Sequence, residues 1–211
     1  SGDRKFIYHI ADAAAGSIEM PPAGRLEGVK LFHVMGCSLM VNRNTRRVIE
    51  GVAECVKSQG GLISYDPNIR PELLKEESIG EVTGTIMGMT DIFLPGEKEL
   101  LQAAGKSTVD EALEQALDAG ASAVVLKKGR EGARFVSRQS DILVKPYSIE
   151  EVDPTGAGDA FDAGFVCGYL EGLGPEQALL LAGACGALNA SYLGPMEGVF
   201  HRNYVDYFIG K

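Results

Sequence analysis

The chain has no tryptophan, only three histidines and only four cysteines in its 211 residues. Cys37, Cys55, Cys167 and Cys185 are scattered, with no Cys-x-x-Cys pair. That spacing gives no zinc site and no disulfide framework. The four are read as reduced core thiols of a cytoplasmic protein. Positive charge is also scarce: 20 lysines and arginines stand against 29 aspartates and glutamates, a formal net charge of −9. A nucleic-acid groove has a basic footprint, and no such footprint or membrane-surface patch is present. No apolar run approaches the roughly 20 residues of a membrane span. Ser1-Gly2-Asp3-Arg4-Lys5 leads into a mixed stretch, not into the apolar centre of a signal peptide. Internal repeats, low-complexity segments and linkers are absent, so residues 1–211 are expected to form one domain.

What is there is 45% hydrophobic residues, enough for a sizeable core, and 27 glycines, which suit many tight loops. Apolar strands alternate with amphipathic helices. Short strands are predicted at 5–9, 29–35, 62–65, 91–94 and 123–126, and a hairpin at 133–137 and 142–145. Helices are predicted at 42–58, 79–89, 97–104, 109–119, 158–170, 175–193 and 203–209, the first from the three- and four-residue recurrence of Val48, Ile49, Val52 and Val56. Thr108 caps the 109–119 helix with Glu111 three residues on, and Pro175 suits a first helical turn. Such alternation implies an α/β fold, a mostly parallel sheet with helices on both faces.

The segment Asp153-Pro154-Thr155-Gly156-Ala157-Gly158-Asp159-Ala160-Phe161 carries the chemistry. Glycines at 156 and 158 remove the Cβ atoms that would keep a phosphate away. The helix predicted from Gly158 aims unpaired N–H groups and its positive end at the same point. Asp159 in its first turn offers a carboxylate that can take the proton of an attacking hydroxyl while the cradle neutralises a transferring phosphoryl group. Other phosphate motifs are excluded. There is no Gly-x-x-x-x-Gly-Lys-Ser/Thr loop, and the dinucleotide fingerprint fails at Phe161.

This segment resembles the C-terminal signature of the ribokinase-like (PfkB) family of carbohydrate kinases. The resemblance extends along the chain. Asp66-Pro67-Asn68-Ile69-Arg70-Pro71 is similar to a segment of the fructokinase and 2-keto-3-deoxygluconate kinase branches. Leu94-Pro95-Gly96-Glu97-Lys98-Glu99 falls where the family has Asn-x-x-Glu, with Gly96 replacing the asparagine. Val124 to Ala133 resembles the strand and turn that pass the nucleotide, and Ala182 to Leu193 the helix flanking the adenine.

The resemblance implies a three-layer αβα ribokinase-like fold with the remnant of a β lid in residues 1–15. It also implies roles. Asp159 is the general base, and Gly156, Ala157 and Gly158 form the anion hole. Arg70 reaches the ATP phosphates. Lys127, Gly129 and Gly132 line the nucleotide site, and Asn189 lies near the adenine. Glu99 orders Mg2+ and its waters.

On the substrate side, the N-terminal strand matches one that carries Tyr-x-Arg in the sugar-acid kinases. Tyr8 is kept, but Ile10 stands at the arginine, which weakens a sugar-acid assignment. Tyr8 packs on a sugar face, Asp12 accepts hydrogen bonds from its hydroxyls, and His9 is structural. Ahead of this strand the family has a first sheet strand, further lid strands and a Gly-Gly-x-x-x-Asn sugar-binding segment. The sequence as given is expected to keep the nucleotide half and to lack much of the sugar pocket. The family lid often forms an interface, so a homodimer is expected.

The leading reading is an ATP- and Mg2+-dependent phosphotransferase acting on a small sugar or sugar acid. Two alternatives are a non-catalytic adenine-nucleotide-binding module and a kinase of a non-sugar alcohol such as a nucleoside. The intact Asp159 favours catalysis, and the Asp66-to-Pro71 segment favours a sugar.

Overall fold

The computed structural model describes residues 10, 13–74, 76–198 and 200–210. Six strands form one sheet in simple sequential order: β1 (Leu31–Met35), β2 (Leu62–Asp66), β3 (Ile92–Phe93), β4 (Ala123–Lys127), β5 (Ala133–Val136) and β6 (Asp141–Val144). The first four are parallel, with Met35 opposite Asp66, Tyr65 opposite Phe93 and Phe93 opposite Val124. β5 and β6 return antiparallel, the hairpin expected from the sequence.

β4 shows why parallel strands read as unbroken apolar runs. Ala123, Val124, Val125 and Leu126 are all buried, and successive side chains serve opposite faces of the sheet. Val124 and Leu126 join Val34, Ile63, Tyr65 and Phe93 on one face. That face is covered by α2 (Arg43–Ser58), α3 (Ile79–Met87), α4 (Glu97–Ala104) and α5 (Val109–Asp118). Ala123 and Val125 join Ile92 and Leu94 on the other, against α6 (Ala157–Leu170) and α7 (Pro175–Ala190). Sequential strand order with right-handed crossovers puts every connecting helix on one side. The two helices that follow the hairpin are left to cover the second side. This is the α/β, three-layer arrangement. The last helix, α8 (Arg202–Ile209), packs its Val205 against Leu181, Ala184 and Leu188 of α7.

Local rules set most boundaries. The Asn42 side chain caps α2, that of Ser78 caps α3 in a reciprocal capping box with Glu81, and that of Thr108 caps α5, accepting from the Glu111 N–H. α7 ends at Ala190 rather than running to 193, because the Ala190 carbonyl accepts the Val152 and Asp153 N–H groups instead of continuing the helix. A four-residue helix, α1 (Gly36–Leu39), and a 3₁₀ turn at Pro71–Leu73 carry no periodic signal and were not expected.

The cysteines also differ from expectation. All four are free thiols, but Cys37, Cys55 and Cys185 are only half-buried and Cys167 is exposed, on the side of α6 turned away from the sheet. The predicted strand at 5–9, including Tyr8, and the predicted sugar contact Asp12 lie outside the described residues. Among the described residues no helix is long and apolar enough to cross a membrane.

Candidate active site

The carboxyl ends of β1, β2 and β4 and the start of α6 converge, the usual place for a site in a parallel sheet. The loop that opens α6 is held from behind. Asp153 Oδ1 accepts the Thr155 N–H at 3.0 Å and the Thr155 hydroxyl at 2.6 Å, and its Oδ2 accepts the Gly194 N–H at 3.1 Å. The Asn189 amide donates to the Thr155 carbonyl at 2.8 Å. Gly156 then turns with φ +79°, where a Cβ would stand 2.6 Å from the Pro195 carbonyl oxygen. Both the left-handed conformation and the contact demand glycine.

α6 starts without a side-chain cap. The Ala157 N–H reaches the Pro154 carbonyl at 3.2 Å and the Ala160 N–H the Gly156 carbonyl at 2.9 Å. The N–H groups of Gly158 and Asp159 take no partner among the described residues. Of the anion hole expected at Gly156, Ala157 and Gly158, the Ala157 N–H is taken by the Pro154 carbonyl, while the Gly156 N–H, like those of Gly158 and Asp159, takes no partner among the described residues. Asp159 is exposed in the first helical turn, and its charge is felt by His33 and Cys37.

Beside this helix end lies a cavity of about 240 Å3, lined by Gly129, Gly132, Ala157, Gly158, Tyr147 and Gly183 among others. Five of the residues assigned to phosphates and nucleotide (Lys127, Gly129, Gly132, Ala157 and Gly158) meet here. Its walls are glycine backbone and the apolar faces of Pro146, Tyr147 and Ile149, a lining suited to a flat base.

Asn189 is not part of that lining. It is 3% exposed and borders a second cleft of about 450 Å3, on the same side of α6 as Asp159, Gly156 and Arg202. One N–H of its amide is held by the Thr155 carbonyl. Glu99 also has internal work. Its Oε1 accepts the Ile69 N–H at 3.0 Å and its Oε2 the Gly96 N–H at 2.9 Å. It thus caps α4 and holds the segment that carries Arg70. Arg70 is half-buried, with Nη1 on the Ile69 carbonyl at 3.1 Å, and lies outside the cavity lining.

The Asp66-Pro67-Asn68 turn is fixed at both ends. Asn68 takes a left-handed φ of 35°, and its N–H donates to Asp66 Oδ1 at 3.1 Å. Gly36 touches the turn from the end of β1: a Cβ there would lie 2.0 Å from the Pro67 carbonyl oxygen. Lys127 Nζ contacts Asp66 Oδ2 at 2.9 Å and Asp162 Oδ2 at 3.0 Å. Burial works against the Lys127 charge, but Asp162 and Asp66 outweigh it and raise its pKa. Burial lifts the Asp162 carboxyl well above the usual range. Asp162, Asp153 and His33 escaped the sequence reading. An aspartate between Phe161 and Phe165, on a helix whose one other charge is Asp159 in its first turn, was the available signal, because such a group needs a cation. Among the described residues no cluster of three metal-ligating side chains occurs.

The model of a family described as pfkB family carbohydrate kinase matches residues 1–201. The 2-dehydro-3-deoxygluconokinase of Bacillus subtilis is 30% identical over 214 residues, covering 99% of this chain and 65% of that protein. The fructokinase of Vibrio alginolyticus is 26% identical over 217 residues, covering all of this chain and 70% of its own. A crystal structure from E. coli named ribokinase II, in complex with ATP and Mg2+, is 35% identical with a TM-score of 0.90, over 99% of this chain and 68% of that one. The chain thus spans about two thirds of the length of these relatives.

Proposed function

Because this chain belongs to the pfkB family of carbohydrate kinases, we propose that it carries the phosphoryl-transfer centre of an ATP-dependent kinase acting on a hydroxyl of a small sugar or sugar acid. One observation carries the reading: an uncapped helix end, with the Gly158 and Asp159 N–H groups open, stands between an apolar cavity and an exposed carboxylate.

The residues present fit the nucleotide. Gly129, Gly132 and Gly158 let it approach the backbone, and the cavity walls take the base. The Gly158 and Asp159 N–H groups hold the phosphoryl group being transferred, and each such donor is worth about 10²–10³ in rate. Asp159 takes the proton of the acceptor hydroxyl at a carboxylate oxygen, a role worth roughly 10²–10⁴. Arg70, at the end of the turn fixed by Asp66, stands on the phosphate side. Mg2+ neutralises phosphate charge and comes with the nucleotide, since such ions are held largely by substrate phosphates and water. Glu99, whose oxygens accept the Ile69 and Gly96 N–H groups, would order that ion and its waters. Tyr8 and Asp12 belong to the acceptor side. The same reading includes a cytoplasmic setting and a homodimer, which sedimentation equilibrium tests.

The test is ATP-dependent phosphorylation across hexoses, ribose and keto-deoxy sugar acids, with Asp159→Asn alongside. A fall of about 10²–10⁴ in kcat with ATP affinity kept is expected. Undiminished turnover by Asp159→Asn sinks the mechanism. ATP binding without turnover on any acceptor leaves a nucleotide-binding module instead.

A further inference from the structure

Three elements far apart in sequence meet at one ammonium group. Lys127, at the end of β4, reaches across the end of β3 to Asp66 on β2 and up to Asp162 on α6. Asp162 is 1% exposed and Lys127 16%. A Cβ on Gly158 would lie 4.0 Å from Lys127 Nζ, so the ammonium sits directly beneath the open end of α6. From these elements lead the turn that carries Arg70, the glycine turn beside the nucleotide cavity, and the phosphate cradle.

A buried ion triad is a poor way merely to hold a fold together. Desolvation cancels most of its attraction, and apolar replacements of similar volume are often neutral or stabilising. What an apolar cluster does not supply is a fixed direction and a fixed charge. We propose that Lys127 is the positioning residue of the phosphate site: clamped between Asp66 and Asp162, it sets the angle at which α6 presents the Gly158 and Asp159 N–H groups and places a positive charge beneath them. Burial raises the Asp162 pKa and the Lys127 charge opposes that rise, so the two side chains depend on each other. The proposal rests on the kinase reading of the site.

The experiment compares ATP with adenosine, which fills the cavity without reaching the cradle. Lys127→Met alone strands a buried carboxylate and risks misfolding. The informative variant is therefore Lys127→Met with Asp162→Leu, in which Asp66 keeps the Asn68 N–H. Its melting temperature is expected to lie between those of Lys127→Met and the parent, since Asp66 keeps only the Asn68 N–H, and adenosine affinity is expected to change far less than ATP affinity. ATP affinity, by titration calorimetry with Mg2+, is expected to fall about ten- to hundredfold. Lys127→Arg is expected to recover part of it. A folded double variant that binds ATP as tightly as the parent overturns the proposal. A parent that binds no ATP overturns the kinase reading and this proposal with it. If Asp159→Asn turns over undiminished, only the assignment of the base falls, and the ATP-to-adenosine comparison still decides the role of Lys127.

Discussion

The Asn189 amide and the Thr155 carbonyl, 34 residues apart, are joined by a 2.8 Å hydrogen bond that fastens the last turn of α7 to the loop opening α6. Asn189 is buried, so its amide has no water to turn to. The bond holds the peptide before Gly156, and hence the start of the phosphate cradle.

Asn189→Ala is expected to destabilise the protein by about 0.5–1.5 kcal/mol, the worth of the lost hydrogen bond. Denaturant melts measure it. Because the loop is loosened and the cavity is not, ATP affinity is expected to fall while adenosine affinity stays.

Two glycines are expected to respond to alanine with opposite signs. Gly36→Ala drives a methyl into the Pro67 carbonyl, and overpacking of this kind costs about 1–3 kcal/mol. Gly84, inside α3, has nothing within 4 Å of the point where a Cβ would stand, so Gly84→Ala is expected to add about 0.5–1 kcal/mol. Paired urea melts at one pH test both.

His33 gives the protein an acid sensitivity. Its Nδ1 lies 2.9 Å from Ser64 Oγ, and burial, helped by the Lys127 charge, lowers its pKa against the opposing pull of Asp66 and Asp159. Below the ordinary value of 6.5 the unfolded chain takes up a proton that the folded chain resists. Stability present above pH 6.5 is therefore lost as the pH falls. His33→Gln, which keeps a partner for Ser64, is expected to lose less melting temperature than the parent between about pH 7.5 and about pH 5.5. An equal loss in both removes His33 from the account.

The thiols are expected to react in order. Burial pushes Cys185 up to about 11, so at about pH 8 only about one molecule in a thousand carries its thiolate. Cys167 is exposed and labels first with a disulfide reagent. The fast phase is expected to disappear in Cys167→Ser and to persist in Cys185→Ser.

Much of this was readable from the residues alone. Strand–helix alternation, the caps at Ser/Thr-x-x-Glu positions and the glycines at 156 and 158 are local signals, and the elements formed within a few residues of where those signals lie. The geometry of the candidate site was legible where it depends on the backbone of one segment, as at the uncapped helix start beside Gly158. It was not legible where a role depends on a partner elsewhere. Asn189 and Glu99 have polar side chains suited to a ligand, and nothing in their own segments announces the backbone groups 34 and 30 residues away that they also bind. Lys127 and Asp162 are separated by 35 residues, and no periodicity in either segment announces the pair. α1 was missed because four residues are too few for a helical period to show.

Every residue lining the cavity beside α6 comes from positions 127 to 190. The pocket proposed for the nucleotide is therefore one uninterrupted length of chain, while the turn bearing Arg70 comes from the preceding part. Recombination between related proteins that exchanges only this stretch would transplant nucleotide preference as a unit. The Lys127–Asp66 contact is the seam across which such a graft has to match.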